Sequence, residues 1–254
     1  MISISCVCLT YSKNKELEEA IESFLRQTYQ GKKELVIIND CDDQFLEFNH
    51  PEVFILNSSR RFNSIGEKRN ISVSLSKYDY IAVWDDDDIS LPHRLEFCAN
   101  KIKENNFNYY KFNDAWFYSK IDKIKRKTTN AFHGCSIFSK DLFRKTNGYG
   151  FINSGQDSFL EGQFMKIKKD QNFNILIENC ELNKDLKLND IYYIYRWGGM
   201  PCHLSVQNGK KNQLEIIEKE LKKRKDRKTG IIKLVPRWEE DYVDLVNKFI
   251  NANK

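Results

Sequence analysis

The sequence predicts an α/β fold: a mostly parallel sheet flanked by helices, of the Rossmann-like kind, followed by a helical C-terminal extension. Three observations predict it. Short β-branched apolar runs alternate with segments whose apolar residues recur at helical spacing through the first hundred residues. Strands alternating with helices imply parallel pairing with helices on both faces. Several of the apolar runs end abruptly in polar residues, and the carboxyl ends of parallel strands are where such sheets bind ligands.

Taken in order, "ISISCVCLTY" (2–11) reads as a buried first strand. Cys6 and Cys8 lie two apart and so point to one face; the reading is buried free thiols, with a C-x-C metal pair as the alternative. "KELEEAIESFLRQTY" follows as a helix, with Leu17, Ala20, Ile21, Phe24 and Leu25 on one side. "KELVIIND" and "EVFILNSS" are the second and third strands, and "IGEKRNISVSLSK" is a helix that carries Arg69 and Asn70. "YDYIAVWDDDD" is a fourth strand, and "LPHRLEFCANKIKEN" a helix with Pro92 at its first position. Residues 108–150 mix aromatic strands with a basic hairpin-like stretch. Beyond 206 the chain turns helical and charged, with Leu214, Ile217 and Leu221 on one face and a basic end. That tail reads as a solvated helix packed on the domain, or alternatively as a surface for an anionic partner.

With 254 residues, 41% hydrophobic and 13% aromatic, the chain can bury a large core and is not a disordered protein. Forty-one basic and 36 acidic residues leave a net charge of +5, too mild to point to nucleic acid by itself. Seven cysteines with no framework spacing suit a reducing compartment. No apolar run approaches the ~18 residues of a membrane span. The stretch "MISISCVCLTYS" has neither a basic n-region nor a small-residue cleavage site, so the expected location is the cytoplasm, with attachment to a membrane or polymer surface as an option of the basic tail.

The run Asp85-Asp86-Asp87-Asp88 is the strongest chemical signal. Four neighbouring carboxylates repel and raise one another's pKa, and a divalent cation relieves that repulsion. A solvated loop is the plain alternative. At the carboxyl end of a strand, alternating residues such as Asp85 and Asp87 can hold a sugar hydroxyl and Mg²⁺ or Mn²⁺ together, ions that take oxygen ligands. Such a cation neutralises a pyrophosphate.

The stretches "CLTYSKNKELEEAIESFLRQTYQGKKELVIINDCDD", "GEKRNISVSLSKYDYIAVWDDDDISLP", "NGYGFINSGQDSFLEGQF" and "YIYRWGGMPCHLS", in this order, resemble the family 2 glycosyltransferases of GT-A fold over roughly residues 2–206. The resemblance implies an inverting, metal-dependent transferase that moves a sugar from a nucleoside-diphosphate sugar, in particular a UDP-sugar, to an acceptor hydroxyl. It implies that Thr10 and Tyr11 line the base and that Asp40 hydrogen-bonds its edge. Arg69 and Asn70 lie beside the nucleotide, Asp85 meets the ribose with Asp86 and Asp88 in support, and Asp87 holds Mn²⁺ or Mg²⁺. Asp157 in "GQDSF" matches the family's general base, with Gln156 where the family has Glu; the alternative for Asp157 is a helix N-cap. His203 is a candidate metal ligand or diphosphate donor, and Arg196 and Trp197 a phosphate clamp and platform beside a Gly198-Gly199 lid. His133 and Trp116 fall on the acceptor side, with no role assigned.

The resemblance also divides the chain. Residues 1–205 form the transferase domain, with 1–107 as the donor-binding half and 108–205 as the acceptor-binding half, and 206–254 the extension. The acceptor is a glycan, a lipid-linked sugar, a protein or a modified nucleic-acid base. Two rival functions remain. A sugar-nucleotide nucleotidyltransferase would carry a glycine-rich loop after the first strand, and "CLTYSKNKEL" has no glycine. A non-catalytic binder of nucleic acid or another anionic polymer would use the basic tail and has no use for the aspartate run.

Overall fold

The computed structural model describes residues 1–119, 123–128, 133–170, 173–178, 187–196 and 213–253. The order along the chain is β1 (Ile4–Thr10), α1 (Asn14–Leu25), β2 (Lys33–Asn39), β3 (Gln44–Glu47), β4 (Val53–Asn57), α2 (Ile65–Leu75) and β5 (Tyr80–Val83). It continues with β6 (Ile89–Ser90), α3 (Arg94–Asn105), β7 (Tyr109–Phe112), β8 (Asp114–Ser119), β9 (Lys123–Thr128), β10 (Ile137–Ser139) and α4 (Lys140–Arg144). Then come α5 (Gln156–Asp170), β11 (Ile175–Glu178), β12 (Tyr193–Arg196), α6 (Gln213–Lys222), β13 (Gly230–Lys233) and α7 (Tyr242–Ala252).

Seven strands form the main sheet in the order β11-β7-β10-β5-β1-β2-β4, and all run parallel except β10. The α/β expectation is met, and the register explains its sequence signature. β1 sits centrally between β2 and β5, so both of its faces must be apolar. Ile4, Cys6 and Cys8 face the layer of α1 and α3 beside Leu17, Phe24, Leu95 and Cys98. Val7, one residue out of phase, faces Val73, Leu142, Leu160 and Phe164 on the α2, α4 and α5 side. Cys6 and Cys8 are therefore core residues; both are free and fully buried, and burial raises both thiols above the ordinary cysteine value.

Pro92 precedes the helix instead of opening it: His93 is the N-cap and Arg94 the first helical residue. α2 begins with a hydroxyl cap, the Ser64 side chain accepting from the Glu67 N–H. A second sheet of four strands, β6-β12-β8-β9, packs its apolar face on α7 through Trp116, Tyr118, Ile194, Tyr242 and Val246. Trp116 thus belongs to this small core, edge-on to Phe249 at 5.6 Å. The C-terminal segment is more than helical: β13 pairs in parallel with β3.

Candidate active site

β1, β2 and β5 all point their carboxyl ends the same way, and a cavity of about 280 Å³ opens there. Thr10, Tyr11, Asp40, Arg69, Asp85, Asp86, Asp87 and Asp157 all line it. These eight residues span almost 150 positions of chain, and the sheet edge gathers them.

The aspartate run is made tolerable by cations from the protein itself. Lys13, just past the end of β1, places its Nζ 2.5 Å from Asp87 and 3.4 Å from Asp86. Burial works against the charge on Lys13, but Asp86 and Asp87 outweigh it and raise its pKa. Asp85 pairs with Arg69 at 3.1 Å. Asp86 is buried, and its pKa rises to about 6; burial is the main cause, opposed by Lys13 and reinforced by Asp87. Asp88 also lines the cavity but is only 3% exposed; it accepts from the Tyr193 hydroxyl and, at 2.9 Å, from the Arg196 N–H. Burial and the neighbouring charges of Asp87 and Asp85 push its carboxyl well above the usual range.

A second charge cluster lies on the β2 side of the cavity. Asp40 is 1% exposed, and its Oδ1 receives both Lys68 Nζ and Arg61 Nη1 at 2.5 Å, while Oδ2 accepts from the Phe62 N–H at 3.2 Å. Lys68 also donates to the Thr10 carbonyl at 2.6 Å. Burial lowers the Lys68 pKa, with Asp40 pulling the other way. The Arg61 guanidinium lies 3.9 Å from the Tyr11 ring centroid and donates from Nε to Glu218 of α6 at 2.7 Å. Ile217 and Leu221 of α6 pack on Tyr11 and complete the wall.

Asp157 is the second residue of α5, within its first turn, where the helix dipole favours a carboxylate. It is half-buried and lines the cavity beside Gln156. It is therefore inside the helix rather than at the cap.

Two expected residues lie elsewhere. Asn70 does not line the cavity: its Nδ2 donates to the Tyr149 carbonyl at 3.0 Å and its Oδ1 accepts from the Tyr149 N–H at 2.8 Å. Its side chain is consumed in holding that loop. Arg196 is not placed as a phosphate clamp either; it lies under the aspartate run, bonded to the Asp87 carbonyl and to Glu19. Trp197 and His203 lie outside the described residues. Lys13, Arg61 and Lys68 are site residues that the sequence reading did not single out. Lys68 had a visible signal, since it directly precedes Arg69 in the helix; Lys13 and Arg61 had none beyond being basic.

The donor set suits a hard divalent cation: Asp85, Asp86 and Asp87 offer carboxylate oxygens and no sulfur or imidazole. Among the described residues they do not bring three ligand atoms within 4.8 Å of one another. A small cation held there would need further oxygen ligands from outside the protein, such as phosphate or water. The group that does meet this spacing, Cys41-Asp42-Asp43, is otherwise engaged: both Asp43 oxygens hold Arg227 at 2.6 Å. Basic side chains line the cavity as well, Lys13, Lys68 and Arg69 among them. Arg69 lines the cavity with Nε and Nη1 buried and without a hydrogen-bond partner among the described residues.

Comparison with known proteins identifies the family and the fold. The chain is 27% identical over 126 residues to glycosyltransferase GlyG of Streptococcus pneumoniae, a match covering 44% of this chain and 40% of that protein. This chain therefore spans well under two thirds of that relative's length. Among solved structures, S. aureus TarS 1-349 in complex with UDP superposes with a TM-score of 0.56 at 14% identity, over 87% of this chain and 71% of that one. The mannosyltransferase PcManGT from Pyrobaculum calidifontis, in complex with GDP-Man and Mn²⁺, gives a TM-score of 0.54 at 12% identity over 70% of this chain and 55% of that one. The model of glycosyl transferase family 2 matches residues 5–158, from the start of β1 to the first turn of α5. The chain is a member of glycosyl transferase family 2, of GT-A fold.

Proposed function

We propose that the protein transfers a sugar from a UDP-sugar to an acceptor hydroxyl with inversion, and that Asp157 is the general base. One observation carries the reading: Asp157 shares a single cavity with Asp85, Asp86 and Asp87 although some seventy residues separate them in the chain. The family membership gives the reaction class, and the TarS complex with UDP supports the choice of nucleotide.

The nucleobase lies against Tyr11 between Arg61 and the apolar side chains Ile217 and Leu221. Asp40 acts there through Arg61, whose guanidinium it holds, and through Lys68 of α2, which it shares with the Thr10 carbonyl at the end of β1. Arg69 and Lys13, both lining the cavity, supply positive charge towards the diphosphate. Asp87, with Asp85 beside it, would hold Mn²⁺ or Mg²⁺, which supplies positive charge against the departing diphosphate. The acceptor hydroxyl is a poor nucleophile until Asp157 takes its proton. A single displacement with one base inverts the anomeric centre.

We place the protein in the cytoplasm because the five described cysteines are all free and buried. No helix among the described residues is long and apolar enough to cross a membrane. The test of the reading is Asp157→Asn with UDP-glucose, UDP-galactose and UDP-N-acetylglucosamine as donors, Mn²⁺ present, and water as the acceptor. UDP affinity should stay within about twofold while donor turnover falls by about 10²-fold, the loss expected of a missing base. Parental turnover in this variant would place the base elsewhere.

A further inference from the structure

Behind Asp157 lies a buried polar chain that neither the donor cavity nor the apolar core requires. Along α5, Asp157, Leu160, Glu161 and Phe164 fall on one stripe, at spacings of three and four residues. Leu160 and Phe164 are fully buried and bury the helix against the sheet. Glu161, one turn after Asp157, reaches in between them. Its Oε1 meets His133 Nδ1 at 2.8 Å and accepts from the Tyr109 hydroxyl at 2.7 Å, and its Oε2 pairs with Lys111 at 2.6 Å. Nε2 of His133 meets the Tyr149 hydroxyl at 2.7 Å. Burial would raise the Glu161 pKa, but the hydrogen bond and charge of His133, with Lys111, hold it at about 2.

From Tyr149 the chain of contacts runs to the donor side. The Asn70 carboxamide brackets the backbone of Tyr149, and the Arg69 guanidinium lies 5.6 Å from the Tyr149 ring centroid while it pairs with Asp85. Two adjacent residues of α2 therefore hold an aspartate of the donor cavity and the start of the chain that ends on α5. Apolar contacts alone would bury α5 as well, because a buried ion pair adds little net stability over well-packed hydrophobic groups. What directional bonds add is register: Leu160 and Phe164 tolerate a small slide or rotation of the helix, and the His133 and Lys111 bonds to Glu161 do not.

We propose that His133, Tyr149 and Glu161 are positioning residues for the transfer step, fixing the first turn of α5, and so Asp157, against the Asp85 side of the cavity. The proposal rests on the reading of Asp157 as the base. A base displaced by about 1 Å loses up to 10²-fold in rate without any loss of donor binding.

Tyr149→Phe tests it, because it removes one hydroxyl and keeps the ring between Arg69 and Phe143. Tyr110→Phe is the matched control. Tyr110 is also fully buried and also bonds a glutamate, Glu178 at 2.7 Å, but on the opposite face of the sheet. Both variants should lose similar melting temperature. With Mn²⁺ and whichever of the three UDP-sugars the parent hydrolyses fastest, Tyr149→Phe should lower kcat by about tenfold or more with UDP affinity within about twofold, while Tyr110→Phe keeps the parental kcat. Amide exchange in the peptide holding residues 150–160 should rise in Tyr149→Phe alone. Equal kcat in the two variants overturns the proposal, as does a loss in Tyr149→Phe that lies in UDP affinity instead of kcat. If Asp157→Asn is inactive while Tyr149→Phe is fully active, the base stands and the brace falls. Parental turnover in Asp157→Asn removes both.

Discussion

Removing Asp40 should expose how strongly the charge cluster around Tyr11 depends on one carboxylate. Asp40 is 1% exposed and neutralises Lys68, whose side chain is 5% exposed, together with the half-buried Arg61. In Asp40→Ala the Arg61 side chain keeps its bond to Glu218 and can turn Nη1 to solvent. Lys68 cannot, since its Nζ is tied to the Thr10 carbonyl inside the wall. Breaking a buried pair by removing one partner costs about 3–5 kcal/mol. For a chain of this size each kcal/mol moves the midpoint by about 2–4 °C, so Tm should fall on the order of 10 °C. The complementary variant Asp40→Leu/Lys68→Met removes both charges and replaces them with apolar groups of similar length. It should recover most of the loss, because such replacements are close to neutral. UDP affinity should not recover, since Arg61 has lost the partner that holds it over Tyr11. Thermal melts and calorimetric titration with UDP read the two effects separately. A drop of less than about 2 °C in Asp40→Ala would show that Lys68 is not dependent on Asp40, and the account of this cluster would be wrong.

Asp87→Asn should weaken UDP binding in the presence of Mn²⁺ by tenfold or more, roughly, while leaving metal-free binding near the parental value, because it removes an anionic ligand; calorimetry with and without Mn²⁺ checks this, and equal affinities in parent and variant would remove Asp87 from the metal site. Asn70→Ala should cost about 1–3 kcal/mol in urea denaturation, since the Tyr149 N–H and carbonyl lose their partners, and should leave UDP affinity within about twofold; a collapse of UDP binding with the fold intact would return Asn70 to the nucleotide. Glu161 has a pKa held at about 2 in the folded chain, against an ordinary 4.5, so its contribution is complete above pH 4.5 and is lost as pH falls towards 2. The stability difference between parent and Glu161→Gln should therefore be about 3 kcal/mol at pH 6 and shrink to about half of that at pH 3, by linkage. A difference that stays constant across this range in urea melts would show that Glu161 is not charged and paired as described.

The parts of the fold that were legible are those fixed by local pattern. β1, β2 and β5 are apolar on both faces because each lies inside a parallel sheet, and that constraint is written into consecutive residues. The aspartate run was legible for the same reason, as a polar stop at the end of an apolar strand. Pairings across the chain were not. Lys13 meets Asp87 across 74 positions and Arg61 meets Glu218 across 157, and a lysine or arginine in sequence carries no mark of its partner. Asn70 shows a subtler limit: the dipeptide it shares with Arg69 was read as one unit, yet successive helical residues face about 100° apart, so Arg69 reaches the cavity and Asn70 the loop. The antiparallel β10 also escaped notice, being three residues long and inserted between two parallel neighbours.

The wall that α6 supplies has a consequence for how the protein comes into being. The stretch matched by the family, residues 5–158, contributes every carboxylate of the cavity, but Ile217, Leu221 and Glu218 arrive some sixty residues later. They are followed by β13, which docks on β3, an element formed near the start of the chain. As the ribosome releases the polypeptide from its amino end, the sheet and the aspartate run can assemble early, while the slot beside Tyr11 stays open to solvent on one side. The nascent chain then gathers its carboxylates before the Tyr11 side of the cavity is walled, and that wall is complete only once α6 has been made.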